Sequence, residues 1–327
     1  MGNRANFIVI ENGQWRLHYD HWAGCRMLDA LIGGPALALR YVERLRRCDD
    51  EWLDEVWADG AALIDLDGRR LLFFGDELMT TMAERRAMFA VLTVLWAGYQ
   101  VSWAYRGMAE LAEYVGYELP RPDRCGEQPL KLASGRKGLC HLVSVVDVDG
   151  AVRLWPLWWG RSAVWSGPGV LNLLPGRGRR CFRRDIIPES GVHIDQRDRS
   201  VGMWTTSETA DTRVTLPDLW TGWTLESWAD RYENQVSRCQ GALDIPDLDV
   251  GAGITAARDW LQGRMFQRFE DSPLGQMDKL IGLLSEVAPG FAVSPDAVAD
   301  RPGRPTSAEW AAFERACTDV MAAAVTH

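Results

Sequence analysis

Phe7-Ile8-Val9-Ile10-Glu11-Asn12-Gly13-Gln14-Trp15-Arg16-Leu17-His18-Tyr19 is the stretch that decides the fold class of this chain. Two apolar runs flank Asn12-Gly13, and Asn-Gly tolerates the positive φ that both central residues of a tight hairpin turn require. The reading is a β-hairpin with strands over 7–10 and 15–19. Working outward, the plan returns around Asp67-Gly68 (61–64 and 71–74), around Asp149-Gly150 (140–146 and 152–157) and around Arg197-Asp198-Arg199 (192–194 and 201–205). The hairpins share this plan, but their residues do not match closely enough to read as repeats.

Helical spacing fills the intervals. Met27, Leu28 and Leu31 stand on one face, and Pro35 opens a second helix carrying Leu37, Tyr41 and Leu45. Thr81-Met82-Ala83-Glu84 has the capping-box pattern for a helix to about Trp96, followed by a strand over 99–105 and a short helix over 107–115. Leu225, Trp228, Tyr232, Val236 and Cys239 form the stripe of a helix that starts at Thr224. Thr306-Ser307-Ala308-Glu309 caps a last helix. Together these elements predict an α+β protein in which antiparallel β-hairpins form one or two sheets covered by helices, with a helical C-terminal region. The expected division is an N-terminal hairpin and helix unit over 1–116, a Pro- and Gly-bearing linker or long loop over 117–138, a second such unit over 139–243 and the helical region over 244–327. One continuous domain is the alternative.

The 327 residues are 47% hydrophobic and 25% charged, enough to bury a substantial core. No apolar run reaches bilayer-spanning length and no secretory leader pattern opens the chain, so the expectation is a soluble, cytoplasmic protein without membrane association. Seven scattered cysteines without a C-x-x-C pair suggest neither a disulfide framework nor a zinc site, and no metal or cofactor is expected. The net charge of −9 argues against general nucleic-acid binding. The near-absence of lysine beside abundant arginine fits a high-GC, actinomycete-like bacterial source. Rossmann, P-loop, H-E-x-x-H, G-x-S-x-G and EF-hand patterns are missing.

Two regions concentrate chemistry. At the exit of the first hairpin lie His18, Asp20, His21, Trp22 and Cys25. A thiol needs a neighbouring base to become a nucleophile, and Cys25 with His21 or His18 as base and Asp20 as orienting carboxylate supplies the parts. The competing reading is that His21 and Trp22 are packing residues and that Cys25 opens a helix as a small buried hydrophobe. Asn3 and Arg4 either precede the strand or join a polar site in which Arg4 clamps an anion beside His21. The second region runs from Trp155, Trp158, Trp159 and Trp165 into Pro175-Gly176-Arg177-Gly178-Arg179-Arg180, the dense basic patch of an acidic chain. Its tryptophans are either core or a recognition surface, and Arg179 and Arg180 either seat a phosphate or decorate a solvated loop.

The opening Met1-Gly2-Asn3-Arg4-Ala5, with His21-Trp22 after a short hairpin, resembles a group of bacterial and phage-borne proteins that begin with the same pentapeptide and carry a Tyr-Leu-His-Trp-like segment. The resemblance covers about the first 25 residues and carries no activity with it. What it implies is attention to Asn3, Arg4, His21 and Trp22. The chain departs from the pattern by placing Asp20 where an apolar residue is expected. The function read from the sequence is a bacterial ligand- or partner-binding protein that recognises a small molecule or a protein through the Trp- and Arg-rich surface, with Trp158, Trp159, Arg179 and Arg180 as binding residues. A small-molecule hydrolase or transferase using Cys25, His21 and Asp20 is the alternative.

Overall fold

Asn12 and Gly13 both take positive φ, 55° and 70°, and the first hairpin closes as β1 (Ala5–Glu11) and β2 (Gln14–Asp20). Arg69 and Arg199 take the same left-handed conformation in the turns of β4 (Gly60–Asp65) with β5 (Arg70–Phe74) and of β10 (Ser190–Asp195) with β11 (Ser200–Thr205). The third hairpin is β7 (His141–Val146) with β8 (Val152–Leu157). The computed structural model describes residues 3–54, 56–121, 129–158, 160–209, 214–267, 275–276, 279–283 and 304–325. Part of the stretch read as a linker, 122–128, therefore lies outside the described residues, as does Trp159.

The chain forms two units, Met1–Leu78 with Ala83–Leu119 and Asp249–His327, and Met79–Met82 with Pro120–Leu248. The C-terminal helices thus belong to the first unit. Its sheet has the order β3-β2-β1-β4-β5-β6, where β3 is Arg46–Arg47 and β6 is Gln100–Trp103. The second unit has the order β12-β11-β10-β7-β8, where β12 is Thr224–Ser227, and a small pair of β9 (Phe182–Arg183) and β13 (Leu243–Asp244).

Both sheets are mixed, which corrects the expectation of antiparallel sheets. Within each hairpin the strands are antiparallel, but β1 runs parallel to β4, β7 to β10, β5 to β6 and β11 to β12. A helical crossover between hairpins brings the chain back to the end where it began, and the next strand then pairs in parallel. The central strands β4, β7 and β10 are buried along their whole lengths. A second correction concerns Thr224: it opens β12, and the helix α7 occupies Tyr232–Arg238 after Ala229 at φ 56°. The apolar stripe that imitated one helix arises because Trp228, between strand and helix, and Tyr232, on the helix, enter one core cluster with Trp204 and Met82.

In the first unit, α1 (Leu28–Leu31) and α2 (Gly34–Val42) form the crossover from β2 towards β4. Helix α3 (Met82–Leu95) links β5 to β6, and Trp96 just beyond it donates from Nε1 to the Leu31 carbonyl at 2.9 Å. Helix α4 (Gly107–Tyr114) follows β6. Helix α8 (Val250–Phe266) brings Gly253 against the backbone of Ala83 so closely that a Cβ would collide with it. Helix α9 (Ser307–Val325) opens with the expected capping box, Thr306 N donating to Glu309 at 2.7 Å and Glu309 N to Thr306 Oγ1 at 3.3 Å. Glu309 also takes two hydrogen bonds from Arg40, at 2.9 and 2.7 Å, which hold its carboxyl below the usual range. In the second unit the crossover is a 3₁₀ segment over Gly160–Gly169 and the one-turn α5 (Val170–Leu173), and α6 (Leu216–Leu219) precedes β12. No helix among the described residues is long and apolar enough to cross a membrane.

The five-stranded cores of the two units correspond strand for strand: β2-β1-β4-β5-β6 matches β8-β7-β10-β11-β12 in order and in every strand direction. The match extends to single hydrogen bonds. Leu66 N to Ile10 O corresponds to Gln196 N to Val146 O, Gln100 N to Arg69 O corresponds to Thr224 N to Arg199 O, and Cys48 N to Leu17 O corresponds to Arg179 N to Leu154 O. The register then aligns residues. Val9-Ile10-Glu11 before Asn12-Gly13 and Arg16-Leu17 after it falls on Val145-Val146-Asp147, Asp149-Gly150 and Arg153-Leu154, and Ile64-Asp65 with Arg69 falls on Ile194-Asp195 with Arg199. Asp65 and Asp195 do the same work, each accepting the two backbone N–H groups of its turn. The chain is a tandem pair of one α/β sheet design.

Candidate functional site

At the exit of β2, Asp20 is buried, and its carboxylate accepts from Trp22 N at 2.7 Å, Ala23 N at 3.0 Å and the Tyr41 hydroxyl at 2.7 Å. These bonds fasten the turn to α2, as an aspartate does at the start of an Asx turn. His21, expected to be oriented by Asp20, shares a 2.9 Å hydrogen bond between Nδ1 and the Tyr19 hydroxyl, and its ring stands edge-on to Trp22 at 4.9 Å. Asn3 and Arg4 precede β1. The Asn3 carbonyl accepts from Gly24 N at 2.7 Å, while Arg4 N donates to the Asp59 carboxylate at 3.0 Å, its carbonyl accepts from Asp59 N at 2.9 Å, and its guanidinium lies on the exposed Trp57 ring at 4.6 Å. His18 is buried between strands, and burial holds its imidazole below the usual value.

Cys25 is partly exposed, and its carbonyl accepts from Glu77 N at 3.2 Å. Its neighbours build a buried charge cluster that the sequence did not announce. Arg264 from α8 reaches Asp29 at 2.6 Å and Asp76 at 3.0 Å, and Arg26 reaches Asp29 at 2.9 Å. Asp76 also accepts from Leu28 N and Leu78 N. Burial pushes the Asp76 carboxyl up against the pull of Arg264; for Arg264 burial opposes the charge, but Asp76 and Asp29 outweigh it and keep it cationic. Every charge in this cluster has a counter-charge, as a buried ion network requires.

The second region reads differently. Trp155 is buried in the sheet core with Val143 and Val145, Trp165 is half-buried against the same core, and Trp158 is exposed. The loop after α5 wraps the Trp155 ring: Trp155 Nε1 donates to the Pro175 carbonyl at 3.0 Å, and Gly178, at φ 68°, lies so close that a Cβ would meet the ring at 2.6 Å. Only glycine allows both the conformation and the approach. Arg179 pairs its backbone with Leu154 and stacks on Phe182 at 4.8 Å.

The wrapped loop forms one rim of a cleft of about 600 Å³ in the second unit. Its apolar wall is Val145, Trp155, Leu171 and Leu174, and its polar edge is Arg153, Arg177, Arg180, Asp147 and Gln196. Arg153 is held from two sides, Nε donating to Asp147 at 2.9 Å and Nη1 to the Arg177 carbonyl at 3.3 Å. Arg177 and Arg180 are exposed, and among the described residues neither guanidinium is in an ion pair. Of the residues expected to bind, Arg180 thus lines the cleft, Arg179 stacks behind it, and Trp158 is not among the lining residues. Asp147, Arg153, Gln196 and Leu171 were not singled out in the sequence, because the turns that bring them together are far apart along the chain.

Behind this sheet runs a buried polar network. Ser144 Oγ and His193 Nδ1 share a 2.8 Å hydrogen bond, and Gln235 donates to Ser144 Oγ at 2.8 Å and to the carbonyls of Leu142 and Val192. Trp204 Nε1 donates to Gln235 at 2.7 Å. His141 and Ser190 pair at 2.8 Å on the neighbouring strand positions, with Glu189 at 3.6 Å from the other imidazole nitrogen. Burial pushes the His193 imidazole down to about 4 and the Cys239 thiol up to about 11, so neither carries charge near neutral pH. Such a network fixes the registry of β7, β10 and α7.

Among the described residues no group of three or more His, Cys, Asp and Glu side chains is placed to hold a metal ion. Comparison with protein-family models, with curated proteins and with solved structures finds no match to this chain.

Proposed function

We propose that this chain is a cytoplasmic bacterial binding protein that holds a small anionic ligand in the arginine-edged cleft of its second unit. The observation that carries the reading is the pair of exposed, unpaired guanidinium groups, Arg177 and Arg180, over an apolar wall floored by Trp155. In a chain of net charge −9, a cleft edged by arginine concentrates positive potential where the rest of the surface repels anions. Its volume of about 600 Å³ lies in the range of small-molecule sites, and its division into one apolar wall and a few polar groups is how such sites combine affinity with orientation.

The test is a titration with small organic anions followed by calorimetry and by tryptophan fluorescence, on the wild type and on the double variant Arg177→Ala/Arg180→Ala. Binding in the wild type with a loss of at least about tenfold in the variant is expected, since each removes a charge-assisted contact from an exposed loop. Unchanged affinity in the double variant, with its unfolding midpoint also unchanged, would remove the cleft from consideration.

A further inference from the structure

We propose that the ligand is a phosphate monoester, or another organic dianion, with a short apolar or aromatic body, and that Asp147 sets this charge selectivity. The proposal rests on the binding role assigned to the cleft and goes further by naming the class of ligand. Of the described side chains around the cleft, three are guanidinium groups and one is a carboxylate, a surplus of two positive charges among them. Asp147 neutralises Arg153 and, with the Arg177 carbonyl, fixes its direction. The unbalanced charges are those of Arg177 and Arg180, on either side of Gly178-Arg179 in one loop. A single negative charge would satisfy one of them; a dianion satisfies both. A phosphate monoester is dianionic above its second pKa, near about 6, and offers three acceptor oxygens to the fork-shaped donors of arginine.

The loop is built to hold that geometry. Its carbonyl at Pro175 is tied to Trp155 Nε1, Gly178 is pressed on the indole, and Arg179 N and O both pair with Leu154, so the two guanidinium groups project from an anchored backbone. Beside the charged edge, Leu171, Leu174 and Val145 present an apolar wall that bare phosphate would leave uncovered. Gln196 adds a neutral donor and acceptor on the strand side, suited to an ester or ether oxygen of the body.

The experiment compares four probes by calorimetry on the full chain: phenyl phosphate, methyl phenyl phosphate, benzoate and inorganic phosphate. At pH 7.5 the first should bind at least about tenfold more tightly than the two monoanions, one full charge-assisted contact being lost in each. It should also exceed inorganic phosphate, which has the charge without the body. Lowering the pH from 7.5 to 5 should weaken phenyl phosphate alone among the organic probes, because its second ionisation is reversed in that interval. In Arg177→Ala or Arg180→Ala the preference for phenyl phosphate over the diester should fall to about threefold or less. Equal binding of the diester and the monoester would overturn the dianion assignment while leaving an anion cleft in place. Equal binding of inorganic phosphate would overturn the assignment of an apolar body. Absence of binding by all four would overturn this proposal, while an arginine-dependent response to other anions in the broader titration would still uphold the binding role itself.

Discussion

The two units solve one packing problem with different atoms. At the head of the central parallel strands the first unit has Ala5, Gly60 and Gly75, and the second has His141, Ser190 and Thr205 at the matching register positions. In the first unit the backbone itself fills the space: a Cβ on Gly60 would meet the Gly24 carbonyl oxygen at 2.5 Å, and one on Gly75 would meet Asp59, Gly24 and Gly60. In the second unit hydrogen-bonded side chains fill it. The difference continues over the outer face. Tyr41 of the nine-residue α2 packs on Phe7 at 5.4 Å and bonds Asp20, whereas in the second unit the crossover ends in the four-residue α5, beside which the cleft opens. One sheet design is therefore covered at Phe7 by a helix residue in the first unit and is the floor of a cleft in the second.

The sharpest way to break this comparison is to exchange residues between copies. Gly60→Ser imports the residue of the second unit into a place walled by backbone, and a loss of about 3 kcal/mol is expected in denaturant unfolding. The reciprocal Ser190→Gly removes one side-chain hydrogen bond and adds strand flexibility, for a loss of about 1–2 kcal/mol. Equal losses would mean that the two heads are packed alike.

His193 occupies the position of Leu63, and Ser144 that of Ile8. With the native imidazole pushed down to about 4 by burial and an unfolded value near 6.5, the unfolded chain binds the proton first as the pH falls. Stability contributed by the neutral form is thus full above pH 6.5 and is lost between pH 6.5 and 4, by about 3 kcal/mol in all. Ser144→Ile/His193→Leu, which copies the first unit, should flatten that part of the stability profile measured by urea unfolding. A profile as steep as the wild type's would assign the acid sensitivity elsewhere.

The smallest effect is expected at the matched ion pairs. Arg16 with Glu11 is exposed on both sides at 43% and 45%, so Arg16→Ala should change stability by no more than about 0.5 kcal/mol and leave ligand binding untouched. Arg153→Ala should weaken binding in the cleft. If Arg16→Ala affected binding as strongly, the pair would not have diverged in role.

The hairpins were legible because their turns impose a chemical demand that few residues meet, as Asn12-Gly13 shows. The parallel pairing of β1 with β4 was not, since it joins residues more than fifty positions apart and leaves no local mark. The correspondence of the two sheets left no mark in the sequence for a related reason. Core positions keep only an apolar character, and the residue that shifts Asp149-Gly150 one place later than Asn12-Gly13 offsets the rest; the register restores Glu11 with Arg16 to Asp147 with Arg153. Arg180 could be marked as a candidate from its basic surroundings, whereas Asp147 and Gln196 follow different strands and meet only when β7 and β10 lie side by side. Asp20 was read as a catalytic orienter from its neighbours in sequence; its bond to Tyr41, which gives it a turn-holding role, spans an intervening helix.

The Arg264 bridge to Asp29 and Asp76 has a bearing on the order of synthesis. Both carboxylates emerge early, Asp29 beside Arg26, but the cation that bridges the two lies beyond Leu248, after the whole second unit has been made. Glu309, the partner of Arg40, comes later still. On the ribosome the inserted unit is complete while the surrounding one still has the buried Asp76 without its cation, so the part of the chain begun first is the part finished last.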